Sequence, residues 1–164
     1  MARQTSGLSK FFDIEESVVD ASTRFLGAKS KLLYDWWVAN AAGGMALRQA
    51  FDIVDHKAIV PNIFLVEVTA DGNFSFRLFG EEVIQMIGRN RTGEVVRAGA
   101  VGEYGHALYE YYRSIVAAKA CKRCVGSLAF VDRPSTRFES IDCPLSDDGQ
   151  RVTSIIGVME ILKT

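Results

Sequence analysis

Along residues 74–79 apolar and polar positions alternate with a period of two, Phe74, Phe76 and Leu78 being interleaved with Ser75 and Arg77. That is the pattern of a half-buried strand. The stretch 63–68 just before it is apolar on both faces, with Glu67 its one charge. Between the two, Asp71-Gly72-Asn73 supplies the positive backbone angles of a hairpin turn. Gly80 closes the second strand. Glu81-Glu82 then open a short helix with negative charge at its positive end, and Val83, Ile84, Met86 and Ile87 form its apolar side. A helical period returns over 103–119, where Tyr104, Leu108, Tyr111 and Ile115 fall on one side and Ala107, Tyr112 and Val116 widen it. Three more strands are predicted at 124–131, 137–145 and 152–162. Their turns are Arg133-Pro134-Ser135 and Ser146-Asp147-Asp148-Gly149. The unbroken apolar run Ile155-Ile156-Gly157-Val158-Met159 belongs in the middle of a sheet.

Upstream of the hairpin, Ser30 is read as the N-cap of a helix over 31–42, stopped by Gly43-Gly44. Leu32, Leu33, Trp36 and Trp37 give it a broad apolar side. Two placements of the adjacent tryptophans stay open: both in the core, or one on the domain body and one on a second surface such as a dimer partner. Residues 1–29 are read as an arm or a short helix that packs on a partner. Residues 45–60 are a connector with helical turns, Asp55 capping one of them. Hairpin-spaced strands imply antiparallel pairing. Five such strands with helices gathered on one face make an α+β layer arrangement.

Composition narrows the function classes. The chain has 164 residues, 48% hydrophobic and 24% charged, enough to bury a core as one domain. A net charge of −1 argues against a nucleic-acid partner, which calls for a basic patch. No apolar run has the length of a membrane span, and the first residues lack a signal-peptide core, so a cytoplasmic location is expected. Three cysteines suit a reduced compartment rather than a disulfide framework.

With this order of elements the chain resembles a PAS domain over residues 30–162. More narrowly, it is similar to a bacterial PAS-like family that opens with a helix bearing a Leu/Trp pair, here Leu33 and Trp37 or its neighbour Trp36. That family continues with an aspartate-containing connector (Phe51-Asp52-Ile53-Val54-Asp55), a Pro before the first strand (Pro61), an aromatic-Arg-Leu-x-Gly strand ending (Phe76-Arg77-Leu78-Phe79-Gly80) and a Thr-Gly after the next helix (Thr92-Gly93). Members often carry Gly-Thr after the second strand; here Gly80 is followed by Glu81, so that hydroxyl is missing. The resemblance implies a PAS-like domain over 30–164, with the 31–42 helix flanking it and the first and last strands paired at the sheet centre. It further implies a sensory or signalling role without catalysis, a small organic ligand between sheet and helices, a homodimer through the Trp36/Trp37 helix, and output through a separate protein.

The residues expected to line that ligand site are Arg77, Phe79, Met86, Tyr104, His106, Leu108, Tyr111, Tyr112 and Ile115. The helix tyrosines would supply hydroxyls inside an apolar space. Arg77 faces either the helices, where it could hold a carboxylate in a fork, or solvent. Haem is disfavoured, since His106 is the one candidate axial ligand on the helices. A flavin–cysteine adduct is disfavoured because the Gly-x-Asn-Cys-Arg-Phe-Leu-Gln stretch of flavin-binding members has no match. Cys121 and Cys124 have C-x-x-C spacing but lack the paired partners of a zinc site, and are read as structural. Arg89, Arg91 and Arg97 are read as a solvated cluster. No metal ligand set, Ser/His/Asp order, P-loop or dinucleotide fingerprint occurs. Two alternatives remain: a small cone-like α+β enzyme using Asp142 or His106, which a buried Asp142 with a raised pKa would favour, and a ligand-free structural dimerisation module.

Overall fold

The computed structural model describes residues 13–99 and 102–163. The predicted strands are present as β3 (Ile63–Val68), β4 (Phe74–Phe79), β6 (Lys122–Leu128), β7 (Arg133–Ser146) and β8 (Val152–Ile161). Three short strands add to them: β1 (Glu15–Val18), β2 (Ala46–Leu47) and β5 (Val95–Val96). The sheet runs β1-β6-β7-β8-β3-β4-β5, with β2 parallel to β7. The first and last of the long strands, β3 and β8, thus pair at the centre, Phe64 opposite Gly157.

Segment 13–29 differs from the predicted arm or helix. Glu15–Val18 pairs antiparallel with β6, Glu16 opposite Cys124. This strand is legible only once β6 offers an edge; residues 1–12 lie outside the described ones.

Each face of the sheet carries its own core, because neighbouring strand residues point oppositely. The inner face bears Phe64, Val66, Phe74, Phe76, Leu128, Ile155 and Met159, covered by α2 (Glu81–Ile87) and α3 (Glu103–Ala118). On the outer face, Ile63, Ile141, Cys143, Leu145, Ile156 and Val158 are covered by α1 (Ala28–Ala41) and the 3-10 turns around Phe51 and Ile59. Cys121 and Cys124 fall on opposite faces, so the C-x-x-C spacing brings no thiol pair together. Gly157 is required by packing, since a Cβ there would lie 2.1 Å from Phe64 Cζ.

Helix α1 is not capped by Ser30. It begins at Ala28 after Gly27, which has no side-chain cap bond, and its first amides are met from the sheet. Leu26 N–H and Gly27 N–H donate to Glu139 at 2.9 Å each, and Ser30 N–H and Oγ donate to Glu160 at 2.6 and 2.9 Å. Glu139 and Glu160 are register partners on β7 and β8. Two carboxylates thus sit at the positive end of the helix. Buried Glu139 also binds Arg123, with Nη2 at 2.6 Å. Both tryptophans lean on the outer core: Trp36 meets Phe51 edge-on, with centroids 4.9 Å apart, and Trp37 Nε1 donates to the Pro144 carbonyl at 2.8 Å.

Two smaller expectations shift. Asp52, not Asp55, caps the connector turn, accepting from Val54 N–H. The turn before β7 comes earlier than predicted, over Ala129–Val131 with Asp132 left-handed at φ 61.

Candidate functional site

Between the inner sheet face and helices α2 and α3 lies a cavity of about 80 Å³. Its polar centre is Asp142, on β7. Residues 138, 140 and 142 of this strand share one face, so Phe138, Ser140 and Asp142 all reach the cavity wall. Asp142 is 2% exposed. Tyr111, on the sheet-facing side of α3, donates its hydroxyl to Asp142 Oδ2 at 2.6 Å. Asp142 Oδ1 is buried and has no hydrogen-bond partner among the described residues.

Burial pushes the Asp142 carboxyl up to about 7. The Tyr111 hydrogen bond and the Lys122 charge pull it down, and the nearby Glu16 charge pushes it up. Burial also holds the Tyr111 and Tyr112 hydroxyls well above the usual phenol range, with the Asp142 charge adding to it. These hydroxyls are therefore donors rather than bases. Lys122 stands opposite Asp142 in the β6–β7 register, but its ammonium is engaged by Ser114 Oγ at 2.8 Å and Glu16 Oε1 at 3.1 Å.

Of the residues predicted to line a ligand site, Phe79, Tyr104, Leu108, Tyr111 and Tyr112 are on this wall. Met86 and Ile115 are buried in the inner core beside it. His106 is exposed in the first turn of α3. Arg77 is exposed on the outer side, paired with Glu67 of β3. A bulge explains its position. Leu65 pairs with Leu78 and Val66 with Phe76, leaving Arg77 the extra residue. An inserted residue reverses the alternation, so Phe76 and Phe79 both face inward while Leu78 turns out, 38% exposed.

Sequence reasoning missed other parts of the wall. Arg91, read as solvated, is 16% exposed at its side chain, sits over the Phe76 ring at 4.9 Å and pairs with Glu94 at 2.7 Å. Cys124, Phe130, Phe138 and Ser140 also line the cavity. The signal for Ser140 and Asp142 was the two-residue step from Phe138, which marks the inward face of β7. Burial raises the Cys124 thiol far above its usual value, so it is not a reactive thiolate. Among the described residues no group of three or more His, Cys, Asp or Glu is placed to hold a metal, and no helix is long and apolar enough to cross a membrane.

An antiparallel sheet with its first and last long strands paired at the centre and helices over a cavity on one face is the architecture of a PAS domain. A family model described as PAS domain matches residues 27–160, and the chain belongs to that family. Such domains are typically sensory modules. No curated protein matches the chain. Among solved structures it is similar to an RNA-binding light-oxygen-voltage receptor, at 13% identity and a TM-score of 0.49, over 92% of this chain and 38% of that one. The chain thus spans less than half of that receptor's length.

Proposed function

We propose that this domain is a sensor that holds a small organic ligand in the inner cavity and passes its state to a partner protein. The observation that carries this reading is Asp142, a buried carboxyl on an aromatic wall with one oxygen left without a partner. An unsatisfied buried polar atom costs about 1–3 kcal/mol, which a ligand that donates to it would recover, and of the buried oxygens without a partner among the described residues Asp142 Oδ1 belongs to a residue of the cavity wall. At about 80 Å³ the cavity is below the roughly 300–1,000 Å³ of sites that take drug-sized ligands, so the ligand has few heavy atoms. Output is proposed through α1, whose Leu32 and Val38 are about half exposed, either to a second copy of the chain or to a separate protein.

Comparing the native and denatured masses of freshly purified protein tests the reading. An extra mass that leaves on denaturation supports it. Native masses equal to the bare chain or its dimer, together with a Leu108→Trp variant destabilised by about 1–3 kcal/mol through overpacking, would favour a filled structural module. Oligomeric mass in solution tests the α1 contact, which Leu32→Asp and Val38→Asp should weaken.

A second reading, a small acid–base catalyst, draws on the same Asp142. Its burial and its pKa of about 7 suit a group that exchanges a proton near neutrality. His106, the other group that reading would use, is exposed and does not line the cavity. The sensory reading is preferred because it needs an acceptor on the cavity wall, which Asp142 supplies, and no second reacting group beside it.

A further inference from the structure

Resting on the ligand-binding reading, we infer that the inner cavity takes a small alkylammonium ion, a protonated primary amine whose N–H groups are accepted by Asp142 Oδ1 and whose carbons lie against the aromatic rings.

Three observations converge on a cation. The first is the free acceptor: Asp142 Oδ2 is occupied by Tyr111, and Oδ1 by no group among the described residues. The second is the wall. Among the described residues it carries five phenylalanines and three tyrosines, and the π-faces of such rings attract cations, most strongly where water is excluded. The third is that the nearby protein cations already have carboxylate partners. Lys122 is held by Glu16 and Ser114, and Arg91 by Glu94. An ionised carboxylate buried without a counter-ion is costly, and an ammonium ligand supplies the missing charge. A carboxylate ligand would meet Asp142 and Glu16 as like charges, and an alcohol would leave the Asp142 charge uncompensated. The volume of about 80 Å³ is roughly half of a cavity that holds benzene, which limits the ion to a short chain such as ethylammonium.

The binding should depend on pH in a defined direction. The groups around Asp142 are Tyr104, Tyr111 and Tyr112 from α3, Glu16 from β1, Lys122 and Cys124 from β6, and Arg91 from the segment after α2. Burial brings the Asp142 carboxyl up to about 7. Ammonium affinity should therefore rise about tenfold per pH unit below 7 and level off above it.

The experiment is an NMR titration of the full chain at pH 8 with ethylammonium, ethanol and acetate as probes, following the amides of Asp142 and Tyr111. Ethylammonium should bind at least about tenfold more tightly than either other probe, a separation of about 1.4 kcal/mol. Asp142→Asn should abolish that preference while leaving ethanol binding in place. Ethanol or acetate binding as well as ethylammonium would overturn the cation assignment and leave the cavity a ligand site. Binding by none of the three, with no mass retained in the native protein, would overturn the ligand-binding reading as well. Should Asp142→Asn not fold, the wild-type profile from pH 5 to 8 decides: the tenfold rise per unit supports the inference, and a flat profile overturns it.

Discussion

Removing the Glu139 side chain should be among the most damaging single changes on the outer face. Glu139 is fully buried, receives Arg123 Nε at 2.8 Å and Nη2 at 2.6 Å, and accepts two amides at the start of α1. Glu139→Ala strands the Arg123 charge, whose side chain is 18% exposed. Breaking a buried pair from one side costs about 3–5 kcal/mol. The freed amides add little, since Leu26 is 64% exposed and its N–H can turn to water. The expected loss is therefore about 3–5 kcal/mol, or roughly 6–20 °C in Tm for a chain of this size. Urea unfolding followed by tryptophan fluorescence is the assay, because both tryptophans ride on α1 and report its detachment. A loss under about 1 kcal/mol, the scale of an exposed pair, would refute the reasoning. So would a double variant, Glu139→Gln with Arg123→Met, no more stable than Glu139→Gln alone, because removing the stranded charge should restore part of the loss.

Two further outcomes follow from the inner face. Asp142 has a folded pKa of about 7 against the ordinary 3.8, so the folded state holds its proton where the unfolded state has lost it. Stability from this group is full below about pH 4 and falls as pH rises to about 7, by at most about 4 kcal/mol. Asp142→Asn should flatten that slope in urea melts from pH 5 to 8, and an unchanged slope would place the titration elsewhere. Gly157→Ala pushes a methyl into the Phe64 ring and should cost about 1–3 kcal/mol by overpacking while shrinking the cavity. Wild-type stability in thermal melts would mean that the ring has room to move.

The long elements were legible because each repeats a local rule many times. The hairpin at Asp71-Gly72-Asn73, the amphipathic side of α3 and the two-sided apolar run of β8 are stated within their own residues. The Ser146–Gly149 turn is equally local: Asp148 accepts from Gln150 and Arg151 amides and sits at about pKa 2. What escaped depends on distant partners or on a single inserted residue. Strand β1 exists because β6 has an edge, and α1 begins where Glu139 and Glu160 stand. One bulge at Arg77 moved Phe79 inward and Arg77 outward, and no period marks a bulge in advance. In the site, the helix side carrying Tyr104, Leu108, Tyr111 and Tyr112 was read from its period. Asp142 entered only as the candidate acid of the enzyme reading, because the inward phase of its strand was not known, and Arg91 was read as solvated, because no period places a residue in the segment after α2.

The clamp on α1 also has an order in time. Leu26 and Gly27 find their acceptors 113 and 112 residues further along the chain, and Ser30 finds its own 130 residues on. On a growing chain this helix emerges ahead of all five long strands, yet its first turn has no acceptors until β7 and β8 exist. Closing loops of that span is slow compared with forming a helix. The helix made early is thus finished late, and a chain that stops short of Glu160 carries it with its first turn still open.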